Sequence, residues 1–143
     1  MSKSIWVHPL SLEEINRRAK NTLSDHLKIE FIKVGDDHLI ARMPIESHTH
    51  QPMGIMHGGA SAALAETVAS AAGNYCVDQS TKICVGLELN INHLRPVRSG
   101  FIHAVASPLH LGKTTQVWDI KIHDETKRLV SVARLTLAVV EKR

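Results

Sequence analysis

A single acidic residue, Glu66, lies in the middle of an alanine-rich segment that opens with the glycine pair Gly58-Gly59. An acid on an apolar helix face costs free energy unless it is paired or used in chemistry. Backbone N–H groups at the start of a helix attract negative charge, so a helix that begins at Gly58 can stabilise an oxyanion. Together the two features indicate a site for carbonyl chemistry, with an oxyanion-binding N–H and a carboxylate that acts as a base.

The helix that positions these groups is expected to run from Gly58 to about Cys76. At helical spacing it carries a stripe of small residues, with Glu66 on or beside the stripe and Ser70 one turn further along the same face. Small side chains let a second backbone approach closely. The stripe consists of Gly59, Ala62, Ala63, Ala69, Ser70 and Gly73, while the larger Leu64, Val68, Ala72 and Tyr75 lie elsewhere around the helix.

One such helix cannot complete the site alone. Glu66 is eight residues past Gly58, which separates them by about 12 Å along the axis at a rise of roughly 1.5 Å per residue. Groups that act on one carbonyl must each come within about 3 Å of it. If both residues act, Glu66 of one chain must meet Gly58 of another, as two antiparallel helices about a twofold axis allow.

Each of these residues also has an ordinary structural explanation. Glu66 could be a core carboxylate neutralised by an arginine such as Arg134, or an exposed side chain. His57 could cap the helix or pack against it, and the glycines could permit a tight entry into it. Ser70 could be a helix-packing residue.

The remaining elements form a largely antiparallel sheet in hairpin order. A capping box at Ser11 and Glu14, in which Glu14 reaches back, predicts a short first helix from Leu12 to about Thr22. Strands are expected over residues 28–34, 38–44, 101–109, 117–123 and 128–140, with turns at 35–37, 96–100 and 112–113 and a polar loop at 46–52. The pattern predicts an α+β protein with one domain over residues 1–143.

One further strand has the clearest pattern in the chain. Its apolar residues alternate strictly with polar or small ones, which is typical of a strand with one buried face. The apolar residues are Ile83, Val85, Leu87, Leu89 and Ile91.

Composition excludes several classes of function. Of the 143 residues, 43% are hydrophobic and 22% charged, as in ordinary globular proteins. The N-terminus lacks the apolar core of a signal peptide and no run reaches transmembrane length, so a cytoplasmic location and no membrane partner are expected. The net charge of +3 comes from scattered residues and only 3% of residues are aromatic, which argues against a nucleic-acid partner.

Motifs for metal, nucleotide and serine chemistry are absent. There is no HExxH, and His48-Thr49-His50 lacks a third ligand, so no metal site is expected. GxGxxG, GxxxxGK[ST] and GxSxG do not occur. Cys76 and Cys84 form no CxxC pair and are expected to be free. Hydrolysis by an acid, as nucleophile or through an oriented water, is what remains.

Several short motifs occur one after another along the chain. They are Gln51-Pro52-Met53-Gly54, His57-Gly58-Gly59-Ala60-Ser61, Leu64-Ala65-Glu66, Val85-Gly86-Leu87-Glu88-Leu89-Asn90, Asn92-His93-Leu94-Arg95-Pro96 and Pro108-Leu109-His110-Leu111-Gly112. With these motifs the chain resembles the hotdog-fold acyl-CoA thioesterases. The resemblance lies with the bacterial branch that includes 1,4-dihydroxy-2-naphthoyl-CoA hydrolase and the enterobactin-pathway proofreading thioesterase, and it continues more weakly toward the N-terminus.

The resemblance implies a hotdog fold, in which an antiparallel sheet wraps around one long central helix. It implies hydrolysis of an acyl-CoA or acyl-carrier-protein thioester with an aromatic or medium-chain acyl group. Coenzyme A is then part of the substrate, and no separate cofactor is expected. The family also implies a homodimer with sites at its interface, and usually a homotetramer made of two such dimers.

Catalytic roles carry over onto five positions. Glu66 matches the catalytic carboxylate, which acts as nucleophile or as general base toward water. The backbone N–H of Gly58 is implied to polarise the thioester carbonyl, with Gln51 and His57 helping to orient it. Ser70 is implied to position water or the acid.

Positions implied to bind the nucleotide of coenzyme A fall in three segments. They are Gly86, then His93, Leu94, Arg95 and Pro96, then His110, Leu111, Gly112, Lys113, Thr114 and Thr115. Arg95 and Lys113 suit the phosphates of coenzyme A, although each alone also fits a solvated turn. Met53 stands where phenylalanine is frequent in relatives, and this departure affects the expected acyl preference more than the reaction.

Two other functions are open on this fold. A hydratase or dehydratase needs a histidine and an acid that face the α and β carbons of its substrate. A non-catalytic acyl-CoA binding module would hold coenzyme A without releasing thiol. The order of the motifs, with Glu66 and His57-Gly58 intact, favours the thioesterase.

Overall fold

The computed structural model describes residues 3–143. Two short helices, α1 (Leu12–Arg18) and α2 (Leu23–His26), precede a hairpin, and a single turn of 3₁₀ helix at Ser47–Thr49 leads to the long helix α3 (Gly58–Tyr75). The strands are β1 (Glu30–Val34), β2 (Leu39–Ile45), β3 (Lys82–His93), β4 (Gly100–Leu111), β5 (Thr115–His123) and β6 (Leu129–Glu141). Helix α3 and all six strands begin and end within two residues of their predicted limits.

The six strands form one sheet in the order β1-β2-β4-β5-β6-β3. Every neighbouring pair is antiparallel. Helix α3 contacts β2, β3, β4, β5 and β6, so the sheet curves around it. The predicted α+β architecture, an antiparallel sheet around one long helix, is confirmed.

The core lies between α3 and the concave face of the sheet. Leu64 and Val68 are fully buried against sheet residues such as Trp118 and Ile120. Within the predicted stripe of small residues on α3, Ala69 and Gly73 are buried inside the subunit, whereas Ala62, Ala63 and Ser70 are partly exposed. A Cβ on Gly73 would lie 2.4 Å from Leu137 Cδ1, so the curved sheet closes on the helix there.

The predicted buried face of β3 is interrupted. A bulge between Gly86 and Glu88 inserts one residue into the pairing with β6, and a one-residue slip turns the following side chains to the other face. Leu89 and Ile91 pack against the core. Val85 and Leu87 instead are 41% and 62% exposed, so the alternation does not correspond to one buried face.

The first helix is shorter than predicted. Ser11 Oγ accepts a hydrogen bond from the Glu14 N–H at 3.2 Å, as the capping box requires. The carboxylate of Glu14 pairs with Arg17 at 2.7 Å rather than reaching back, so the reciprocal half of the box is wrong. The helix ends at Arg18, and Asn21 has a positive φ of 61° that α-helical backbone does not adopt.

None of the helices in residues 3–143 combines the length and the hydropathy that a bilayer crossing requires.

Candidate active site

Helix α3 begins at a histidine cap. His57 has extended backbone angles, and its Nδ1 accepts a hydrogen bond from the Gly59 N–H at 2.8 Å. Because Nδ1 accepts, the proton of the neutral ring lies on Nε2. Gly58 is the first residue of the helix, so its N–H has no acceptor within the helix and is available to a ligand. The capping role of His57 is therefore observed.

A cavity of about 480 Å³ opens beside this helix start. Gln51 and Gly58 line it together with the segment that follows β3. The lining residues are Gln51, Ile55, Met56, Gly58, His93, Leu94, Arg95, Pro96 and Val97. The structure thus brings two of the predicted catalytic positions together with the predicted segment His93–Pro96.

His93 stands directly over Gly58. A Cβ on Gly58 would lie 2.8 Å from His93 Nε2, so only glycine leaves room for the ring where it lies. His93 Nδ1 is 3.4 Å from Ser131 Oγ, which is 3.3 Å from Ser61 Oγ. Both serines are fully buried. Ser131 was not predictable as a contact of His93, since a serine in a strand without a motif carries no signal of such a contact.

Glu66 lies on the open face of α3 and is exposed. Within residues 3–143 its carboxylate has no ion pair or hydrogen bond, and Arg134, which is also exposed, does not neutralise it. A Cβ on Gly86 would lie 2.6 Å from Glu66 Oε2, so the carboxylate lies over the glycine of β3. The free carboxylate and the predicted ligand position Gly86 are therefore neighbours.

Ser70 is partly buried one turn beyond Glu66. Its carbonyl oxygen accepts a hydrogen bond from Asn74 Nδ2 at 2.9 Å, and Asn74 in turn bonds the backbone of Cys84 on β3. The helix face that carries Glu66 and Ser70 is therefore tied to β3 at its C-terminal end.

Two of the predicted coenzyme A segments are far apart in one chain. Across the sheet, His93 of β3 lies opposite Ser131 of β6, and Ser131 lies opposite Ile122 near the end of β5. Thr115 is the first residue of β5 and lies at its opposite end. At about 3.4 Å per residue, Thr115 and Ile122 are roughly 24 Å apart. The segment His93–Pro96 therefore lies at one end of the sheet and His110–Thr115 at the other.

The segment His110–Thr115 forms the tight turn between β4 and β5. Gly112 N–H donates to the Thr115 carbonyl at 2.8 Å, and Lys113 and Thr114 are exposed at the tip. A Cβ on Gly112 would lie 2.8 Å from that carbonyl oxygen, so glycine is needed to close the turn. The Lys113 ammonium is positioned where an anion in solvent can reach it.

The histidines of the polar loop have other contacts. His48 Nδ1 is 3.5 Å from Glu46 Oε2, and His50 Nε2 is 2.8 Å from the Arg98 carbonyl. In residues 3–143 no three His, Cys, Asp or Glu side chains are close enough together to hold a metal ion. Cys76 and Cys84 are both free thiols, and burial raises the pKa of Cys76 to about 12 and that of Cys84 to about 11.

Comparisons with known proteins identify the family. Residues 53–131 match the model of the thioesterase superfamily. The 1,4-dihydroxy-2-naphthoyl-CoA hydrolase of Escherichia coli is 46% identical over 136 residues, which cover 95% of this chain and 99% of the relative. The proofreading thioesterase EntH of Cronobacter turicensis is also 46% identical over 136 residues, covering 95% and 98%.

Solved structures agree with this assignment. A mutant thioesterase from Pseudomonas aeruginosa superimposes with a TM-score of 0.96 at 48% identity, covering 97% of this chain and 100% of that one. The family match spans more than half of the chain, and the superposition includes the sheet and the central helix. The chain therefore belongs to the thioesterase superfamily, has the hotdog fold and is a thioester hydrolase.

Proposed function

We propose that this thioester hydrolase cleaves acyl-CoA thioesters with Glu66 as its catalytic carboxylate. The observation that carries the proposal is the free carboxylate of Glu66, which is exposed and lies over Gly86. An unpaired carboxylate has its lone pairs available to attack the thioester carbon or to take a proton from water. The leaving group in either route is the coenzyme A thiol.

Gly58 is the proposed oxyanion donor. Its N–H is the first of α3 and points out of the helix start, where the helix dipole adds to its positive character. His57 holds that helix start through the Gly59 N–H, and Gln51 lies in the same cavity. In this role His57 and Gln51 orient the carbonyl, while Ser70 positions water on the side of Glu66.

The free edge of β3 supports a dimer. This strand ends the sheet, and the exposed Val85 and Leu87 lie along it. The side-chain amide of Asn74 accepts a hydrogen bond from the Cys84 N–H at 2.9 Å and donates one to the Cys84 C=O at 3.3 Å. A second strand therefore has room to pair from Gly86 to His93.

Two contacts within one chain support a particular register for such a pair. Glu66 lies against Gly86, and Gly58 lies against His93. Antiparallel pairing that sets Gly86 opposite the partner subunit's His93 brings Glu66 beside the partner subunit's Gly58 and creates two equivalent sites. The same pairing joins Gly86 and the turn His110–Thr115 of one subunit to the segment His93–Pro96 of the other as one coenzyme A surface.

The names of the relatives guide the choice of acyl group. The Escherichia coli relative is named as a hydrolase of 1,4-dihydroxy-2-naphthoyl-CoA. The Cronobacter turicensis relative is named as a proofreading thioesterase. Met53 is 78% exposed in the loop before α3, so it is free to contact an acyl group or a partner subunit. We extend the acyl-CoA class to this chain, with aromatic or medium-chain acyl groups as the substrates to assay first.

The test is thiol release from benzoyl-, hydroxybenzoyl-, naphthoyl- and aliphatic acyl-CoAs by wild type, Glu66→Gln and Glu66→Ala. Loss of a general base or nucleophile is expected to lower kcat by about 10²- to 10⁴-fold. Because Glu66 is exposed and unpaired, both variants should keep the wild-type melting temperature. Wild-type rates in either variant, or coenzyme A binding without thiol release, would contradict the proposal.

A further inference from the structure

Two buried serines connect the start of α3 to His93. Ser61 lies near the start of α3 and Ser131 on β6, and both side chains are fully buried. Ser61 Oγ is 3.3 Å from Ser131 Oγ, which is 3.4 Å from His93 Nδ1. The function proposed above gives neither hydroxyl a role. A buried hydroxyl needs an acceptor for its proton, so the three groups have to share their protons in one consistent order.

Only one order of donors and acceptors satisfies every group of this chain. Within residues 3–143, Ser131 Oγ is the only hydrogen-bond partner of Ser61 Oγ. If His93 Nδ1 carried a proton and donated it to Ser131, one of the two serine protons would be left in the core without an acceptor. In the reverse order Ser61 donates to Ser131, and Ser131 donates to His93 Nδ1. The two hydroxyls therefore favour the neutral His93 ring with its proton on Nε2.

The other nitrogen of the His93 ring faces the proposed oxyanion donor. A Cβ on Gly58 would lie 2.8 Å from His93 Nε2. Nε2 has no hydrogen-bond partner among the residues that the structure describes. His93 and Gly58 line the same cavity, and the His93 side chain is exposed there. A carbonyl oxygen that accepts a hydrogen bond from the Gly58 N–H would thus have a second N–H beside it.

We propose that the Nε2–H of His93 is a second donor to the thioester oxygen, and that Ser131, supported by Ser61, is the positioning residue that fixes its proton and its ring. The proposal rests on the proposed function, since it places the carbonyl at Gly58. A second donor adds to the stabilisation of the charge that develops on the oxygen, and a donor fixed in advance needs no reorganisation during the reaction. His93 then acts on the carbonyl, whereas the family resemblance implied a contact with the nucleotide.

Kinetics of His93→Ala and His93→Gln separate these two roles. Loss of an oxyanion donor is expected to lower kcat by about 10²- to 10³-fold with little change in KM. Loss of a nucleotide contact would instead raise KM and leave kcat unchanged. Glutamine offers an amide N–H of similar reach that has no tautomers. His93→Gln should therefore keep a kcat at least about tenfold above that of His93→Ala. The assay is thiol release from the acyl-CoA of the panel that wild type hydrolyses fastest.

Ser131→Ala tests the positioning role in two backgrounds. In the wild-type background it should lower kcat about three- to tenfold, the value of one hydrogen bond, and leave KM unchanged. In the His93→Gln background it should leave kcat unchanged, because the glutamine amide does not depend on Ser131 for its proton. Ser107→Ala is the matched control and should behave as wild type, since Ser107 also lies on a strand but does not line the cavity.

The tautomer of His93 is measured directly by nitrogen NMR of protein made with isotope-labelled histidine. The His93 signals are identified by their loss in His93→Gln. Wild type and Ser107→Ala should show the proton on Nε2, whereas the form with the proton on Nδ1 should gain population in Ser131→Ala. This measurement needs no turnover, and melting curves show that each variant is folded.

Three results would overturn the proposal. They are a His93 proton on Nδ1 in wild type, a wild-type kcat in His93→Ala, and a Ser131→Ala effect on kcat that is absent or equal in both backgrounds. Absence of Glu66-dependent thiol release from the whole panel would instead overturn the proposed function, while the NMR spectrum would still report the His93 tautomer. The two failures are therefore distinguishable.

Discussion

Gly58 is the residue at which the proposed chemistry depends on a backbone atom. His57 before it has φ −68° and ψ 129°, which is the region that a residue before proline prefers. Proline is also tolerated at the first position of a helix, where it removes only an N–H that the helix does not use. The position therefore allows the proposed oxyanion donor to be deleted without disturbing the helix.

Gly58→Pro and Gly58→Ala form a matched pair at this residue. Alanine keeps the N–H but adds a Cβ that must displace His93 Nε2 from 2.8 Å. We expect the proline variant to have a kcat about 10²- to 10³-fold below that of the alanine variant, the usual loss for one oxyanion donor. Thiol-release kinetics measure the difference, and melting curves show that both variants fold. Equal kcat values in the two variants would exclude the N–H as the donor.

At the scale of elements, both edge strands of the sheet are held by an asparagine from a helix. Asn16 of α1 bonds the N–H and the C=O of Phe31 on β1, each at 2.9 Å. Asn74 of α3 does the same for Cys84 on β3. Each side-chain amide takes the place of a neighbouring strand at one residue, which shortens the free edge.

The stability of the protein should reflect these two contacts. Replacing Asn16 or Asn74 by alanine leaves one strand N–H and one C=O without their partner, and we expect each variant to lose about 1–3 kcal/mol of unfolding free energy. Urea unfolding at one protein concentration measures the loss. The two variants serve as controls for each other, because only Asn74 lies on α3 with Glu66 and contacts Ser70. Asn16→Ala should therefore unfold more easily yet keep its turnover in the folded state. An unchanged urea midpoint in both variants would show that water replaces the two amides without loss of unfolding free energy.

At the scale of the whole molecule, the proposed dimer divides each active site between two chains. Glu66 lies over Gly86 in the middle of α3, and Gly58 with the cavity that includes His93 lies at its start. The exposed edge of β3 lies between them. The proposed dimer joins unlike halves from two chains, and a tetramer of two such dimers stays a prediction of the family resemblance.

Mixing two inactive variants tests this division directly. In a heterodimer of Glu66→Ala and Gly58→Pro, one site has both defects and the other has the intact carboxylate of one chain beside the intact N–H of the other. Random reassociation after mild unfolding should restore about a quarter of the wild-type number of intact sites. About half of the dimers are then mixed, and one of the two sites in each mixed dimer is intact. Thiol release before and after mixing measures the recovery. Activity that stays at the level of the separate variants would place both groups in one chain.

Much of the fold and part of the site were predictable because their signals are local. The limits of α3 follow from the glycine pair and the alanine run, and the limits of most strands follow from alternation and turns. The bulge after Gly86 escaped prediction, because the apolar residues alternate through it in the sequence, whereas in the structure Val85 faces outward before it and Leu89 faces the core after it. The burial of Ala69 and Gly73 also escaped, since the closing of the sheet on α3 depends on β5 and β6.

The sequence by itself determined that the protein is a thioesterase and which residues we propose for the chemistry, because residue types, their spacing and the order of motifs are properties of the chain alone. If both residues act on one carbonyl, the sequence also predicts that Glu66 and Gly58 act from different chains, since the rise of a helix is constant. Only the tertiary structure decided what surrounds them. The contact of Glu66 with Gly86 and the contact of Gly58 with His93 join residues distant in sequence, and the packing of the sheet around α3 brings them together.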